Sequence, residues 1–314
     1  MSYNYYTSKV SEVNLIQYIM PAKKTDTFIV NAAFDKEGEE PIEFYQTTLQ
    51  KLYKRKLDHS IEKPHRIGFN AIFIVTKGKG VHTVDFVPYS YRVGTVFFMA
   101  KDQVHNFKIN PDCDGYILAF TDIFFNRLIV NEELNILHEI FDYIYYPAKM
   151  QLDDSIYSDV LTLTKVIEKE YTIKMDNLKE LILRPLLQAM MLKLGRERLS
   201  QRLPLEDKDK SLYMKFKQLS LEHNYAVHVN DYAKMLDISS KTLTNMLNKY
   251  LGKSTKKYLD EHLILQIKRL LLDENLTIEK VSDKLCFDEP TNMVKFFKRH
   301  EGVSPSEFTK RHRF

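Results

Sequence analysis

Amide, hydroxyl and ammonium side chains recur on one outer face of each of two short helical segments near the C-terminus. In the first, Lys241, Thr244, Asn245 and Asn248 lie opposite Leu243, Met246, Leu247 and Tyr250; in the second, Thr291, Val294, Lys295 and Lys298 lie opposite Met293, Phe296, Phe297 and His300. Such groups can read base edges in a major groove, Asn most naturally on adenine and Lys on guanine. Lys253, Lys256, Lys257, Arg299, Lys310 and Arg311 fall nearer helix ends and suit phosphate contact. A solvated helix face carries the same residue types, so the elements that hold these side chains must decide between the two readings.

Those elements repeat. Val229–Tyr258 and Ile278–Phe308 match each other, pairing Leu236 with Leu285, Ile238 with Phe287, Leu247 with Phe297, Gly252 with Gly302, Ser254 with Ser304 and Tyr258 with Phe308. The offset is 49 before the turn and 50 after it, so the second copy has one extra residue ahead of its next helix. Each copy has the layout of a helix-turn-helix. A small residue, Ala233 or Ser282, sits where a second helix must cross closely, and the turn falls at Asp237 or Cys286. Ile238 or Phe287 fills the angle, and Gly252 or Gly302 suits the left-handed position that ends the second helix. Ser254 and Ser304-Pro305 predict caps for the helices that follow. Two copies in register argue against generic helical hairpins. Between them, Thr255 to Asp273 reads as one continuous helix, roughly 28 Å long, able to hold two recognition helices about one DNA turn, ~34 Å, apart.

The charge balance supports this location. The 314-residue chain has a net charge of +4, which alone singles out no partner. Residues 211–314, however, hold 18 Lys and Arg against 13 Asp and Glu, leaving the remainder at −1. The composition excludes a disordered chain, and no apolar stretch reaches the length of a membrane span. No secretory signal is visible in residues 1–20, so the expectation is a cytoplasmic protein with no membrane partner. Cys113 and Cys286 are too few for a disulfide framework.

The first half reads as β. Ala71–Thr76, Val81–Val87, Val93–Ala100, Val104–Ile109 and Tyr116–Phe120 are short Val, Ile, Phe and Tyr runs punctuated by Gly and Pro, implying a small barrel or sandwich, whereas residues 1–60 give no clean pattern. From about Asp122 the period becomes helical, with helices predicted near 154–172 and 177–199. Their apolar stripes are Ile156, Val160, Leu163 and Ile167, then Leu178, Ile182, Ala189 and Leu192, with a kink or break at Pro185. The polar stretch 201–210 is the predicted linker.

Residues 211–314 resemble the DNA-binding domain of AraC/XylS-type bacterial transcription regulators. The resemblance rests on Asp231-Tyr232-Ala233, Leu236-Asp237-Ile238-Ser239, Lys241-Thr242-Leu243, Leu251-Gly252-Lys253-Ser254, Lys268-Arg269-Leu270-Leu271, Phe296-Phe297-Lys298 and Gly302-Val303-Ser304-Pro305. Departures are Cys286 for the usual turn glycine, Thr255 for a proline and His262 where an arginine is common. The resemblance implies that the second helix of the first copy is the dominant reader. The first half resembles the cupin-like sensor domain that accompanies such DNA-binding domains, through Lys63-Pro64-His65-Arg66, Gly78-Lys79-Gly80, Gly94-Thr95-Val96 and Gln103-Val104-His105-Asn106-Phe107. A metal-binding cupin would show three histidines and a glutamate; here Ile67 and Ala71 stand at two of those positions, so neither metal nor cofactor is expected, although His82 could contribute a ligand.

The expected fold is α+β: a cupin-like barrel in 1–150, helical dimerisation elements in 151–200, a linker in 201–210 and an all-α domain in 211–314 with two helix-turn-helix motifs joined by a long helix. The expected function is a sequence-specific transcription regulator, not an enzyme. It would bind double-stranded DNA as a homodimer under a small-molecule effector, with RNA polymerase a further candidate partner. His65, Arg66, Phe69, His82 and His105 are the candidate effector-pocket residues. A constitutive DNA-binding regulator and a cupin enzyme fused to a DNA-binding domain are the alternatives.

Overall fold

The computed structural model describes residues 43–54, 61–128, 136–142, 146–173, 178–200, 207–273 and 275–312. The N-terminal half contains β1 (Phe44–Thr48), α1 (Leu49–Lys54), β2 (His65–Arg66), β3 (Asn70–Lys77), β4 (Lys79–Val84), β5 (Val87–Arg92), β6 (Thr95–Met99), β7 (Val104–Phe107), β8 (Asp114–Phe120), α2 (Asp122–Asn126), α3 (Ile136–Ile140) and β9 (Lys149–Gln151). Two antiparallel sheets form, in the orders β1-β8-β3-β6-β9 and β2-β7-β4-β5. Strand β3 explains the layering. Ala71, Phe73 and Val75 join the core that also holds Val84 and Phe107 of the second sheet, while Ile72 and Ile74 belong to a separate core shared with the helices. Both faces are covered, so the strand reads as an unbroken apolar run.

The expected strand Val81–Val87 is instead the end of β4, a turn and the start of β5. The chain reverses at Asp85-Phe86, with φ of 47° and 68°, and Pro88 lies inside β5 opposite Thr83. A proline is tolerated there because β5 is an edge strand. Strands β1, β2 and β9 were not foreseen; β2 and β9 span only two and three residues, too few to show a period.

Helices α4 (Asp154–Thr172) and α5 (Lys179–Ser200) cover the outer face of the five-stranded sheet. Asp153 caps α4, its Oδ1 accepting from the Ile156 amide at 2.8 Å. The inward stripe of α5 differs from the expected one. Leu183, Leu187, Met190, Met191 and Leu194 are buried, whereas Leu178, Ile182 and Leu192 are exposed and Ala189 is also at the surface. The helix is apolar on both faces, and periodicity alone cannot choose between two apolar stripes. It runs on through Pro185, whose ring lies on the exposed side. At its C-terminal end Arg198 is buried, with its guanidinium carbon 4.2 Å from the Phe98 ring centroid and 4.7 Å from that of Tyr146.

The C-terminal half is helical: α6 (Asp207–Glu222), α7 (Val229–Met235), α8 (Ser240–Leu251), α9 (Thr255–Leu271), α10 (Ile278–Lys284), α11 (Pro290–Glu301) and α12 (Pro305–His312). The first turn of α6 occupies 207–210 of the expected linker, and 201–206 lie outside the described residues. Helix α9 ends at Leu271, two residues before the expected Asp273, and its 17 residues span about 25 Å.

Candidate nucleic-acid interface

The two turns are built by the same backbone bonds. The Asp237 amide donates to Lys234 O at 3.1 Å and the Ile238 amide to Ala233 O at 3.0 Å; in the second unit Cys286 donates to Asp283 O at 3.1 Å and Phe287 to Ser282 O at 3.1 Å. Asp237 and Cys286 both adopt left-handed φ, 54° and 56°. This pattern closes α7 and α10 and starts the chain into the next helix. Ala233 and Ser282 are buried at the crossing, where a larger side chain would push the helices apart. Gly252 and Gly302 then end α8 and α11 at φ 63° and 73°, their amides bonding Asn248 O and Lys298 O.

The N-terminal caps diverge. Ser239 Oγ accepts from the Thr242 amide at 3.0 Å, whereas Glu289, the cap of α11, makes no side-chain cap bond and is followed by Pro290. Ser254 caps α9 through the Lys257 amide at 3.3 Å. Ser304 and Glu307 cap α12 reciprocally: Ser304 Oγ accepts from the Glu307 amide at 3.2 Å, and the Glu307 carboxylate accepts from the Ser304 amide at 2.8 Å.

Helices α8 and α11 bury Leu243, Met246, Leu247 and Tyr250, and Met293 and Phe297, in one core with α9. Lys241, Asn245 and Asn248 are exposed on α8, and Thr291, Lys295 and Lys298 on α11. Thr244 is half-buried, with its hydroxyl 3.0 Å from that of buried Thr255. That bond uses the hydroxyl brought by the departure at 255. Thr291 donates to the Glu289 carboxylate at 3.0 Å. His300, expected on the inner face, lies at the surface with its ring 4.5 Å from Phe296 and its Nε2 3.8 Å from Asp260.

Among the expected phosphate-binding residues, Lys256, Lys257, Arg299, Lys310 and Arg311 are exposed. Lys253 pairs with Glu261 at 2.7 Å and Lys256 with Asp260 at 3.2 Å, with Lys253, Glu261 and Asp260 half-buried. His262 packs against Tyr258 and Tyr225 inside the α9 core, where burial lowers its pKa to about 3 and keeps it neutral.

His65, His82 and His105 form one buried cluster. His82 Nε2 and His105 Nδ1 are 3.1 Å apart, the His65 and His105 ring centroids are 4.2 Å apart, and His82 stacks on Phe107 at 3.8 Å. Burial and the neighbouring His65 push the His82 pKa well down. A cupin-type metal takes three histidines and a glutamate, and Ile67 and Ala71 stand at two of those positions. Among the described residues no group of three or more His, Cys, Asp or Glu is arranged to hold one. Phe69 packs beside the same core, while Arg66 faces away from it, its Nη2 donating to Arg269 O of α9 at 2.7 Å.

A cavity of about 380 Å³ lies between the two halves, and none of the five expected pocket residues lines it. Its walls include Val84, Asp85, Val87, Tyr89 and Gln103 from the sheets and Glu261, Ile264, Leu265 and Lys268 from α9. Sequence reasoning missed these residues because they meet only through the packing of one half on the other.

Comparison with known families falls along the same division. A helix-turn-helix domain model matches residues 232–311, and an AraC-like ligand binding domain model matches residues 51–133. The chain is an AraC-type regulator. It is similar to the transcriptional activator RhaS of Salmonella schwarzengrund, 21% identical over 248 residues, covering 77% of this chain and 86% of RhaS. RhaS of Enterobacter sp. strain 638 is 23% identical over 249 residues with the same coverage. Among solved structures, ToxT of Vibrio cholerae with an unsaturated fatty acid bound covers 86% of this chain and 96% of its own, with 16% identity and a TM-score of 0.44. This AraC-type regulator is thus a DNA-binding regulator with an N-terminal ligand-binding domain. No helix among its described residues is long and apolar enough to cross a membrane.

Proposed function

We propose that this regulator acts in the cytoplasm as a homodimer that binds one operator sequence on double-stranded DNA, and that a small molecule bound by its N-terminal domain controls that affinity. The observation that carries the reading is the pair of units with matching turns at the two ends of α9, each keeping polar side chains exposed on its second helix. Lys241, Asn245 and Asn248 are assigned to base edges in one groove segment, and Lys295 and Lys298 to the next. Thr244 and Thr291, each engaged by a neighbour, are secondary readers. Lys253, Lys256, Lys257, Arg299, Lys310 and Arg311 hold the flanking phosphates. Residues 211–314 act as the DNA-binding domain, with the rest of α6 leading into it.

The cleft between the halves is the favoured effector site. A ligand there touches both halves and can distinguish their arrangements, which is the requirement for control. Apolar Val84, Val87, Ile264 and Leu265 together with Asp85, Gln103, Glu261 and Lys268 suit a small amphipathic molecule with hydrogen-bonding groups. Dimerisation is assigned to α4 and α5, which leave Val166, Leu181, Ile182 and Leu192 exposed, with Leu178 exposed just ahead of α5. An activator role would add RNA polymerase as a partner.

Selection of bound sequences from a random DNA library by the full-length protein, followed by footprinting, tests the reading. Two protected major-groove segments about 10 base pairs apart are expected for each chain. Equal affinity for selected and scrambled DNA would overturn it.

A further inference from the structure

The two second helices fill one surface position with different side chains. Leu247 and Phe297 are equivalent in the repeat, so Thr244 on α8 is matched by Val294 on α11. Each is half-buried between a buried neighbour, Leu243 or Met293, and an exposed one, Asn245 or Lys295. Threonine and valine are both β-branched and differ by a hydroxyl in place of a methyl. Local packing cancels that difference. The Thr244 hydroxyl lies 3.0 Å from that of Thr255, the first residue of α9, which is fully buried. A buried hydroxyl costs free energy unless it is hydrogen-bonded, so the two hydroxyls hold each other. The residue equivalent to Thr255 is Pro305, the buried first residue of α12, which has no hydroxyl to offer, and Val294 has none to be held. Hydroxyls are thus present at both positions of the first unit and absent from both positions of the second.

This pairing decides what each helix can show a base. The Thr244 hydroxyl and methyl share one Cβ, and a β-branched side chain is stiff, so fixing the hydroxyl fixes the methyl. With the hydroxyl turned to α9, the methyl is the group left to face the groove, as it is in Val294. Its apolar counterpart on a base edge is the C5-methyl of thymine. We propose that Thr244 and Val294 each read a thymine methyl, one in each groove segment, and that Thr255 is the positioning residue that keeps the Thr244 hydroxyl away from the bases. The proposal rests on the base-reading faces assigned above and adds what they recognise.

Deoxyuridine in place of thymine deletes only that methyl and leaves every hydrogen-bonding group of the base in place. The full-length protein is titrated with its selected operator and with copies in which each thymine in turn is replaced by deoxyuridine. One position in each protected segment is expected to lose about fourfold in affinity, the weight of one buried methyl. Thr244→Ser keeps the hydroxyl but deletes the methyl, and should abolish the response in the first segment alone; Val294→Ala should abolish it in the second alone. Thr244→Val combined with Thr255→Pro installs the second unit's pair in the first. It leaves no hydroxyl buried there and puts proline at a first helical position, where it is tolerated, so the first-segment response should survive. Thr255→Val frees the Thr244 hydroxyl and should broaden base preference at that position, whereas Thr255→Ser should not. A response that persists in Thr244→Ser, or is lost in the folded double variant, overturns methyl reading. Unchanged preference in Thr255→Val overturns the positioning role. Should the double variant not fold, Thr244→Ser decides. If no sequence is selected, the base-reading assignment fails and this proposal with it; if an operator is selected and deoxyuridine has no effect at any position, only this proposal fails.

Discussion

The two helix-turn-helix units share a backbone and differ in almost everything attached to it. Both turns use the same pair of amide-to-carbonyl bonds and a left-handed residue, and both second helices end at a left-handed glycine. The likeness runs further than the turns. Tyr258 and His262 on α9 correspond to Phe308 and His312 on α12, and each histidine ring lies against the aromatic ring four residues earlier, at 4.4 Å and 4.2 Å. Surroundings separate them: His262 is buried within the core, while His312 is half-buried and contacts Phe86 of the sensor half. The exposed faces also diverge, with two amides and a lysine on α8 against two lysines and a threonine on α11. The two units thus share one backbone geometry while the side chains it presents differ.

The largest expected effect comes from the histidine pair. Burial holds the folded-state pKa of His262 near 3, below its ordinary 6.5, so the folded state resists a proton that the unfolded chain accepts. The associated stability is fully present above about pH 6.5 and falls as the pH drops toward 3. The slope approaches about 1.4 kcal/mol per pH unit within that window. Denaturant unfolding of wild type and His262→Gln between pH 7 and 4 reads this directly. The variant should lose one group's share of the slope while buried His82 keeps contributing, whereas His312→Gln should leave the His262 share in place. Equal slopes in wild type and His262→Gln would show that the buried imidazole is not the titrating group.

A smaller effect separates the reading faces. Asn245→Ala should cost about 1–3 kcal/mol on the selected operator and relax base preference at one position. Arg299→Ala, at an assigned phosphate contact, should weaken all sequences more evenly and reduce the salt dependence of binding by about one counterion. Operator and scrambled-DNA titrations at several salt concentrations distinguish these outcomes. If Arg299→Ala relaxes base preference as much as Asn245→Ala does, the division between base-reading and phosphate-binding residues is wrong.

Much of this comparison was legible in the sequence, because it is local. A turn residue, a small crossing residue and a C-terminal glycine act within a few positions of one another, and Asp237, Cys286, Ala233, Ser282, Gly252 and Gly302 stand where the repeat placed them. What was hidden depends on distant packing. The buried face of α5 is chosen by the sheet beneath it, not by its own apolar pattern. The Asp85–Arg269 pair joins residues 184 positions apart, and the Asp85-Phe86 turn carries no glycine to announce it. His65, His82 and His105 lie together in a hydrogen-bonded and stacked cluster, and other residues line the cleft between the halves.

The smallest expected effect tests whether the two turns are equivalent. Both Asp237 and Cys286 are left-handed, but aspartate visits that region more readily than cysteine does. Replacing either by glycine removes the steric cost at Cβ while adding flexibility to the unfolded chain. Cys286 is exposed, so its thiol contributes little burial to offset the strain. Cys286→Gly should therefore raise stability by about 0.5–1 kcal/mol, and Asp237→Gly by less or not at all. Thermal unfolding of both variants at neutral pH gives the comparison. A larger gain at Asp237 would mean that the first turn, not the second, carries the greater backbone strain.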